Sequence, residues 1–276
     1  MLESLRELFS LDFMIYAVIA GSLIALCSAL LGVSLVLKRF SMIGDGLSHV
    51  GFGTLAVASV CGIAPLYLSI PVTVLAAFLL LRINNKGKTS GDAAIGLIST
   101  GALAIGVMVI STSSGMNIDI YNYMFGSILT MSRSDVVLSL VLCAVVTIMF
   151  VMFYNSIFSV TFDENFAKAT GTNTNTFNMV ISALTAVTIV LGMRIMGAML
   201  ISSLLIIPPI TSMRVFKSFK GVVAGSAVFS VLSFFSGVVL SGMFSTPTGA
   251  SVVTVSLVLY VAVWCATMLR SKVDKS

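Results

Sequence analysis

The sequence predicts an all-α membrane protein, a single bundle of spanning helices formed by residues 1–276. Apolar residues make up 58% of the positions and charged residues only 9%, whereas soluble domains carry roughly 25% charged residues. The mean hydropathy is +1.12, and the apolar runs are about twenty residues long, which is the length of a spanning helix. Membrane β-barrels instead show alternating segments of about ten residues, so helices are expected.

Nine apolar segments predict about eight to nine transmembrane helices, because several segments are short or interrupted. In chain order they cover approximately residues 13–37, 43–62, 64–81, 92–112, 135–155, 177–192, 195–213, 221–243 and 250–269. Pro65 and Pro71 interrupt the third segment, and Pro208-Pro209 lies near the end of the seventh. Such breaks are tolerated where a helix is buried in protein or lines a cavity. The segment 43–62 is a candidate for a partly re-entrant helix.

Basic residues predict the orientation. If the N-terminus is outside, the connections on the cytoplasmic side hold 12 of the 15 basic residues, and only Arg6, Arg133 and Arg194 lie outside. The positive-inside rule therefore predicts an outside N-terminus and a cytoplasmic C-terminus. The net charge of +5 is a topology signal, so no nucleic-acid partner is expected. The twelve are Lys38, Arg39, Arg82, Lys86, Lys88, Lys168, Arg214, Lys217, Lys220, Arg270, Lys272 and Lys275.

Asp45 and His49 are the candidate metal-binding residues. His49 is the only histidine in the sequence, and it follows Asp45 by four positions, so a helix places both side chains on one face. A helix continuing from Lys38 and Arg39 would bring His49 roughly 15 Å deep, about half of a 30 Å hydrocarbon core. An ionisable pair at that depth indicates function. Carboxylate and imidazole together suit a divalent ion such as zinc or manganese.

A structural alternative explains the same spacing. Asp45 would cap the helix that begins there and accept from backbone N–H groups near Leu47 and Ser48. His49 would then donate to a carbonyl of a neighbouring helix. A lone D-x-x-x-H pattern has low specificity, so the spacing alone leaves both interpretations open.

The segment 161–171, TFDENFAKATG, is the most polar stretch of the interior sequence. It predicts a short helix with Asp163 as N-cap, Glu164 in the first turn and Gly171 at the C-terminal stop. A helix of about seven residues is marginal in water by itself, so we expect it to pack on something. A surface helix and a helix that docks on a partner both fit this pattern.

No site for ATP hydrolysis is readable in the sequence. A phosphate-binding loop requires G-x-x-x-x-G-K-[ST] after a strand. Gly87-Lys88-Thr89 matches its end, but Arg82 stands where the first glycine is required. The four cysteines lie singly without a CxxC pair, so no disulfide framework or structural zinc site is predicted. We therefore expect a protein that is not an enzyme and has no permanently bound cofactor.

Several motifs together resemble the permeases of the zinc/manganese/iron family of bacterial ABC importers. Residues 37–49, LKRFSMIGDGLSH, are similar to the family signature, and residues 91–96, GDAAIG, resemble the start of its next helix. Residues 123–129, 197–208 and 247–249 resemble later family motifs. These blocks occur in the family's order and extend over almost the whole chain.

The resemblance implies a type II-like ABC importer permease that carries a divalent transition metal, zinc or manganese, with iron as a further candidate. It implies that Asp45 and His49 contact the ion in transit. It also implies that the segment 161–171 is a cytoplasmic coupling helix. Its docking face would comprise Phe166 and Ala167, and the rim and C-terminal stop would comprise Asp163, Glu164, Lys168 and Gly171.

The partners that the resemblance implies are a second copy of the chain, a cytoplasmic ATP-binding subunit and an extracellular metal-binding protein, assembled at the bacterial inner membrane. Two other functions remain open. One is a stand-alone secondary cation transporter or channel that uses Asp45 as a proton or cation site. The other is an ABC permease for a metal chelate such as a cobalamin or a siderophore. A docking helix argues against the first, and a bare carboxylate–imidazole pair argues against the second.

Overall fold

The computed structural model describes residues 12–85, 91–113 and 133–273, and every regular element in these ranges is a helix. The motif at 123–129, the Gly87-Lys88-Thr89 match and Arg6, Lys86, Lys88 and Lys275 lie outside the described residues. The helices are α1 (Asp12–Leu37), α2 (Ile43–Val60), α3 (Pro65–Asn85), α4 (Gly91–Thr112), α5 (Arg133–Met152), α6 (Tyr154–Phe162), α7 (Glu164–Ala169), α8 (Thr174–Met196), α9 (Ala198–Val215), α10 (Phe219–Phe244) and α11 (Thr248–Val273).

Eight of the described helices are long and apolar enough to cross a membrane, namely α1, α3, α4, α5, α8, α9, α10 and α11. The predicted all-α membrane bundle is therefore confirmed. Helix α2 is not among the eight, because its 18 residues include Asp45 and His49, which lower its apolar character. It packs against α3, α4, α8 and α9 inside the bundle.

Helix α2 is continuous, which corrects the expectation of a partly re-entrant segment. Its 18 residues extend about 27 Å at a rise of 1.5 Å per residue. Gly46 faces Ile95 and Gly53 faces Ala102, so α2 runs beside α4 in the same direction. A re-entrant segment would turn back before the second of these contacts.

The prolines do not break the helices in which they occur. Pro71 lies inside α3 and Pro209 inside α9, which corrects the predicted interruptions. Pro209 has no N–H to donate to the Leu205 carbonyl. Gly32 of α1 packs against that oxygen so closely that an added Cβ would lie 2.1 Å from it. Neighbouring protein thus encloses the irregular backbone, as membrane helices require.

A short helix that hydropathy does not reveal follows α5. The predicted segment 135–155 runs past the end of α5 at Met152, whereas the chain breaks and resumes as α6. Phe158 and Phe162 of α6 lie against Phe219, the first residue of α10, with ring centroids 5.3 and 6.0 Å apart. These rings attach α6 to the start of α10.

One end of the bundle gathers most of the described basic residues, and we call it the basic end. The Lys38 ammonium donates to the Asn178 side-chain oxygen, so the end of α1 lies beside the start of α8. Arg39, Leu80 and Asp92 line one cavity of about 160 Å³, which joins the α1–α2 turn to α3 and α4. The basic residues here are Lys38, Arg39, Arg82, Lys168, Arg214, Lys217 and Lys220.

The opposite end brings together the starts of α1 and α5 and the end of α8. Arg133 Nε donates to the Tyr16 hydroxyl at 2.7 Å, and the Arg194 guanidinium lies 3.5 Å from the Asp135 carboxylate. Among the described residues, Arg133 and Arg194 are the basic residues at this end. The segregation of basic residues that the sequence predicts is therefore present in three dimensions.

Replacing Gly53 with alanine tests the close packing of α2 on α4. The added Cβ would lie 2.5 Å from the Ala102 carbonyl oxygen, and overpacking of this kind costs about 1–3 kcal/mol. We expect a lower melting temperature in detergent, measured by size-exclusion chromatography after heating. Gly101→Ala on α4 is the matched control, because a Cβ there meets nothing within 4 Å. Equal melting temperatures for the two variants would contradict this packing.

Candidate metal site and docking segment

Asp45 does not cap helix α2. The helix begins at Ile43, its N-cap is Met42, and no side chain caps its first N–H groups. Asp45 instead lies within the first turn, where a carboxylate interacts favourably with the helix dipole. The capping alternative is therefore wrong, and the Asp45 carboxylate has no bond to the backbone that would occupy it.

Asp45 and His49 form a loose pair on the surface of the protomer. The His49 Nε2 and Asp45 Oδ2 atoms are 3.6 Å apart, longer than the roughly 2.7–2.9 Å of a charge-assisted hydrogen bond. The Asp45 side chain is 46% exposed and the His49 side chain 21% exposed. Both groups are therefore accessible to an ion.

The opposite face of α2 determines where the pair points. Leu47, Ser48 and Val50 are buried. The Ser48 hydroxyl donates to the Gly44 carbonyl at 2.8 Å and lies 2.9 Å from the Ser202 hydroxyl of α9. These contacts fix the rotation of α2, so residues 45 and 49 face outward together.

The pair lies closer to the basic end than the sequence predicts. Helix α1 ends at Leu37, and residues 38–42 form a turn before α2 begins at Ile43. His49 is six residues past Ile43, roughly 9 Å along the helix axis. The predicted depth of roughly 15 Å requires one continuous helix from Lys38. The turn at residues 38–42 adds little rise along the axis, so His49 lies less deep.

Asp45 and His49 alone would make an incomplete metal site. Within the described ranges, no group of three or more His, Cys, Asp or Glu side chains lies close enough to hold a metal ion. Structural zinc sites usually have four ligands and catalytic zinc sites three. A two-ligand site on one chain is suited to brief contact with a moving ion and needs further ligands to hold one.

The segment 161–171 contains the six-residue helix α7, which has the caps that the sequence predicts. The Asp163 carboxylate is the N-cap and accepts from the N–H groups of Asn165 and Phe166 at 3.0 and 2.9 Å. Gly171 follows the helix with φ of 84°, a left-handed conformation that glycine adopts without strain.

The two faces of α7 have different surroundings. Ala167 is fully buried against the rest of the chain, whereas Phe166 is 61% exposed. Of the two residues expected on the docking face, only Phe166 is thus available to a partner. Glu164 accepts from Lys168 at 2.8 Å and from Asn178 at 3.3 Å, so its carboxylate is directed toward the bundle.

Sequence reasoning missed the part that Lys38 and Asn178 play beside this segment. In the sequence, Lys38 is a topology signal and part of the motif at residues 37–49, and Asn178 is the second residue of an apolar segment. The two residues are 140 positions apart, so no local pattern connects them. A lysine at the end of one segment and an asparagine at the start of another were the only available signals.

Comparison with known proteins gives consistent matches over nearly the full length. Residues 10–267 match the ABC 3 transport family. The chain is 29% identical over 245 residues to the high-affinity zinc uptake system membrane protein ZnuB of Haemophilus influenzae, covering 89% of this chain and 94% of that one. It is 26% identical over 255 residues to the manganese transport system membrane protein MntC of Halalkalibacterium halodurans, covering 92% and 87%.

The fold is also that of a solved structure, PsaBC from Streptococcus pneumoniae in complex with Fab. The TM-score is 0.85, and the match covers 95% of this chain and 94% of that chain. The sequences are 24% identical, so this likeness concerns the fold alone.

Replacing Asp163 with alanine tests the cap of α7. The variant loses the two hydrogen bonds to the backbone, and loss of an N-cap costs about 1 kcal/mol. We expect faster hydrogen–deuterium exchange at the amides of residues 165–167, measured by mass spectrometry. Asp163→Asn is the matched control, because its side-chain oxygen still caps. Unchanged exchange in Asp163→Ala would show that packing of Ala167 alone holds the helix.

Proposed function

This chain belongs to the ABC 3 transport family, and we propose on this premise that it is the permease subunit of an ATP-driven importer for divalent zinc or manganese. The observation that carries the proposal is the Asp45–His49 pair, accessible on one face of α2. Relatives named for zinc uptake and for manganese transport support the same cargo.

The ligand chemistry fits a transition metal in transit. Imidazole suits zinc and iron, and carboxylate suits manganese as well as zinc. Two loosely paired ligands bind an ion without enclosing it, so the ion is able to leave. A bulky organic chelate would not require a bare carboxylate and imidazole, which favours the free ion as cargo.

A second copy of the chain would complete the site. The Asp45 side chain is 46% exposed on the protomer surface, and a carboxylate facing hydrocarbon is costly. A homodimer that buries this face removes the carboxylate from lipid and brings a second Asp–His pair. Together the two pairs supply four ligands, the number that zinc takes in closed sites.

The basic end is the proposed docking face for a separate ATP-binding subunit. Phe162 and Phe166 are both exposed there, and α7 projects beside them. The positive-inside rule assigns this end to the cytoplasm, with the N-terminus outside. An extracellular metal-binding protein would deliver the ion to the opposite end, and ATP-driven closure of the partner subunits would move α7 and alternate access.

An uptake assay distinguishes this function from a stand-alone cation transporter. Cells that carry the chain with its ATP-binding subunit and binding protein should lose zinc or manganese uptake when ATP is depleted. Uptake that resists ATP depletion but stops with a protonophore would instead identify a secondary transporter.

Substitution of the pair tests the proposed metal site. We expect Asp45→Ala and His49→Ala each to reduce uptake of radiolabelled zinc or manganese by at least about tenfold, the lower bound for altering even an outer partner of a metal ligand. Thr54→Val is the matched control on α2, because the Thr54 hydroxyl donates only to its own helix, at Val50 and Gly51. Unchanged uptake in both alanine variants would favour the chelate permease.

Substitution of Phe166 tests the docking face. An exposed aromatic that becomes a buried anchor contributes about 2 kcal/mol, so Phe166→Ala should weaken binding of the ATP-binding subunit roughly thirtyfold. The dissociation constant is measured by titration of the subunit onto the permease in nanodiscs. Phe244→Ala is the matched control, since Phe244 is 65% exposed at the opposite end. Equal weakening in both variants would exclude α7 as the docking element.

A further inference from the structure

Three polar side chains from distant parts of the sequence meet at the basic end. The Lys38 ammonium, just past α1, donates to the side-chain oxygen of Asn178 in α8. The Asn178 amide nitrogen donates to the Glu164 carboxylate of α7 at 3.3 Å. Glu164 also accepts from Thr174 at 3.4 Å. The docking helix is thereby joined to the end of α1 through a single asparagine.

The Asn178 amide has one orientation that satisfies both neighbours. Its oxygen faces a cation that only donates, and its nitrogen faces a carboxylate that only accepts. Rotating the amide by half a turn would place donor against donor and acceptor against acceptor. Asn178 is therefore a directional link between Lys38 and Glu164, and an apolar residue of similar size would break both bonds.

The charges at the two ends of this link are maintained at neutral pH. Burial lowers the pKa of Lys38 to about 8; the Glu164 charge opposes that shift and the Lys168 charge adds to it. For Glu164, burial raises the pKa, but hydrogen bonds from Lys168 and Asn178 and the nearby Lys38 charge outweigh it, so the pKa lies below its usual value.

Lys38 also begins the turn that leads to the metal-binding helix. The Arg39 N–H donates to the Val36 carbonyl at 3.0 Å, and the Phe40 N–H donates to the Leu35 carbonyl at 2.8 Å. The Ile43 N–H then donates to the Phe40 carbonyl at 3.0 Å. These hydrogen bonds connect the end of α1 at Lys38 to the first turn of α2.

We propose that Lys38 is a positioning residue for ion transport, which ties α7 through Asn178 to the helix that carries Asp45 and His49. The inference rests on the proposed function, because it requires a partner that moves α7. Motion of α7 shifts the Glu164 carboxylate, Asn178 follows, and Lys38 carries the displacement into the α1–α2 turn. The Lys38 ammonium bonds to Asn178 rather than to the Asp45–His49 pair, so we expect its effect on the number of ions moved per ATP hydrolysed.

The test uses the complete transporter in proteoliposomes, with its ATP-binding subunit and metal-binding protein. Uptake of radiolabelled zinc or manganese and ATP hydrolysis are measured on the same preparation. We expect Lys38→Met to retain ATP hydrolysis and to lower the ions moved per ATP by roughly two- to thirtyfold, the range for residues that couple distant sites. Asn178→Leu should give the same loss, and the double variant no further loss, because both changes break one link.

Matched controls separate coupling from a general defect. Thr254→Val removes a hydroxyl that donates only to Ala250 within α11 and should leave the ratio unchanged. Lys38→Arg keeps the positive charge and the hydrogen-bond donor, so this variant should retain most of the ions moved per ATP. An unchanged ratio in Lys38→Met and Asn178→Leu, or a proportional loss of uptake and hydrolysis in both, would overturn the proposal. Absence of metal uptake by the unaltered transporter would instead refute the proposed function.

The pH dependence of the ions moved per ATP distinguishes a role for the Lys38 charge from a purely structural role, which would not depend on pH in this way. With lysine at position 38, the ions moved per ATP should fall as the pH at the basic face rises through about 8, since the ammonium loses its proton there. The charged groups that act on it are Glu164 and Lys168. Lys38→Arg should remove this dependence, because arginine stays charged. An identical fall in both proteins would contradict the assignment.

Discussion

A carboxylate and an imidazole are tolerated inside a membrane only where protein or water, rather than lipid, surrounds them. This constraint organises the bundle around α2. The helix packs against α3, α4, α8 and α9, and its buried face contains small and apolar residues. The charged face is the one that the protomer itself does not cover. The packing of α2 thus leaves Asp45 and His49 exposed together on the surface of the protomer.

Much of the fold can be predicted from the sequence, because it depends on residues that are close together in the chain. Runs of apolar residues mark the spanning helices, and the Asp163 cap and Gly171 stop mark α7, because these signals depend on near neighbours alone. The continuity of α3 through Pro71 and the break between α5 and α6 depend on packing by residues far away in sequence. The depth of His49 was overestimated for a related reason, since the turn at residues 38–42 interrupts the rise of the helix.

The candidate site likewise has parts that depend on near neighbours in the sequence and parts that depend on packing between distant residues. The i, i+4 spacing was sufficient to pair Asp45 with His49, because helix geometry alone brings such residues together. The Lys38–Asn178 contact joins residues 140 positions apart and depends on the packing of α1 against α8. The inward direction of Glu164 depends on the same packing. Sequence patterns therefore identify the candidate ligands and the candidate docking segment, whereas the contacts that connect them require the three-dimensional structure.

The exposure of Asp45 on the protomer surface has a consequence for biogenesis. If the proposed homodimer covers Asp45, a newly inserted copy presents an uncovered carboxylate until a second copy arrives. An unassembled copy would then expose the same carboxylate that we propose as a metal ligand in the dimer. Membrane quality control that recognises polar groups facing lipid would remove unassembled copies, so a variant that cannot form the proposed homodimer would be turned over rather than accumulate.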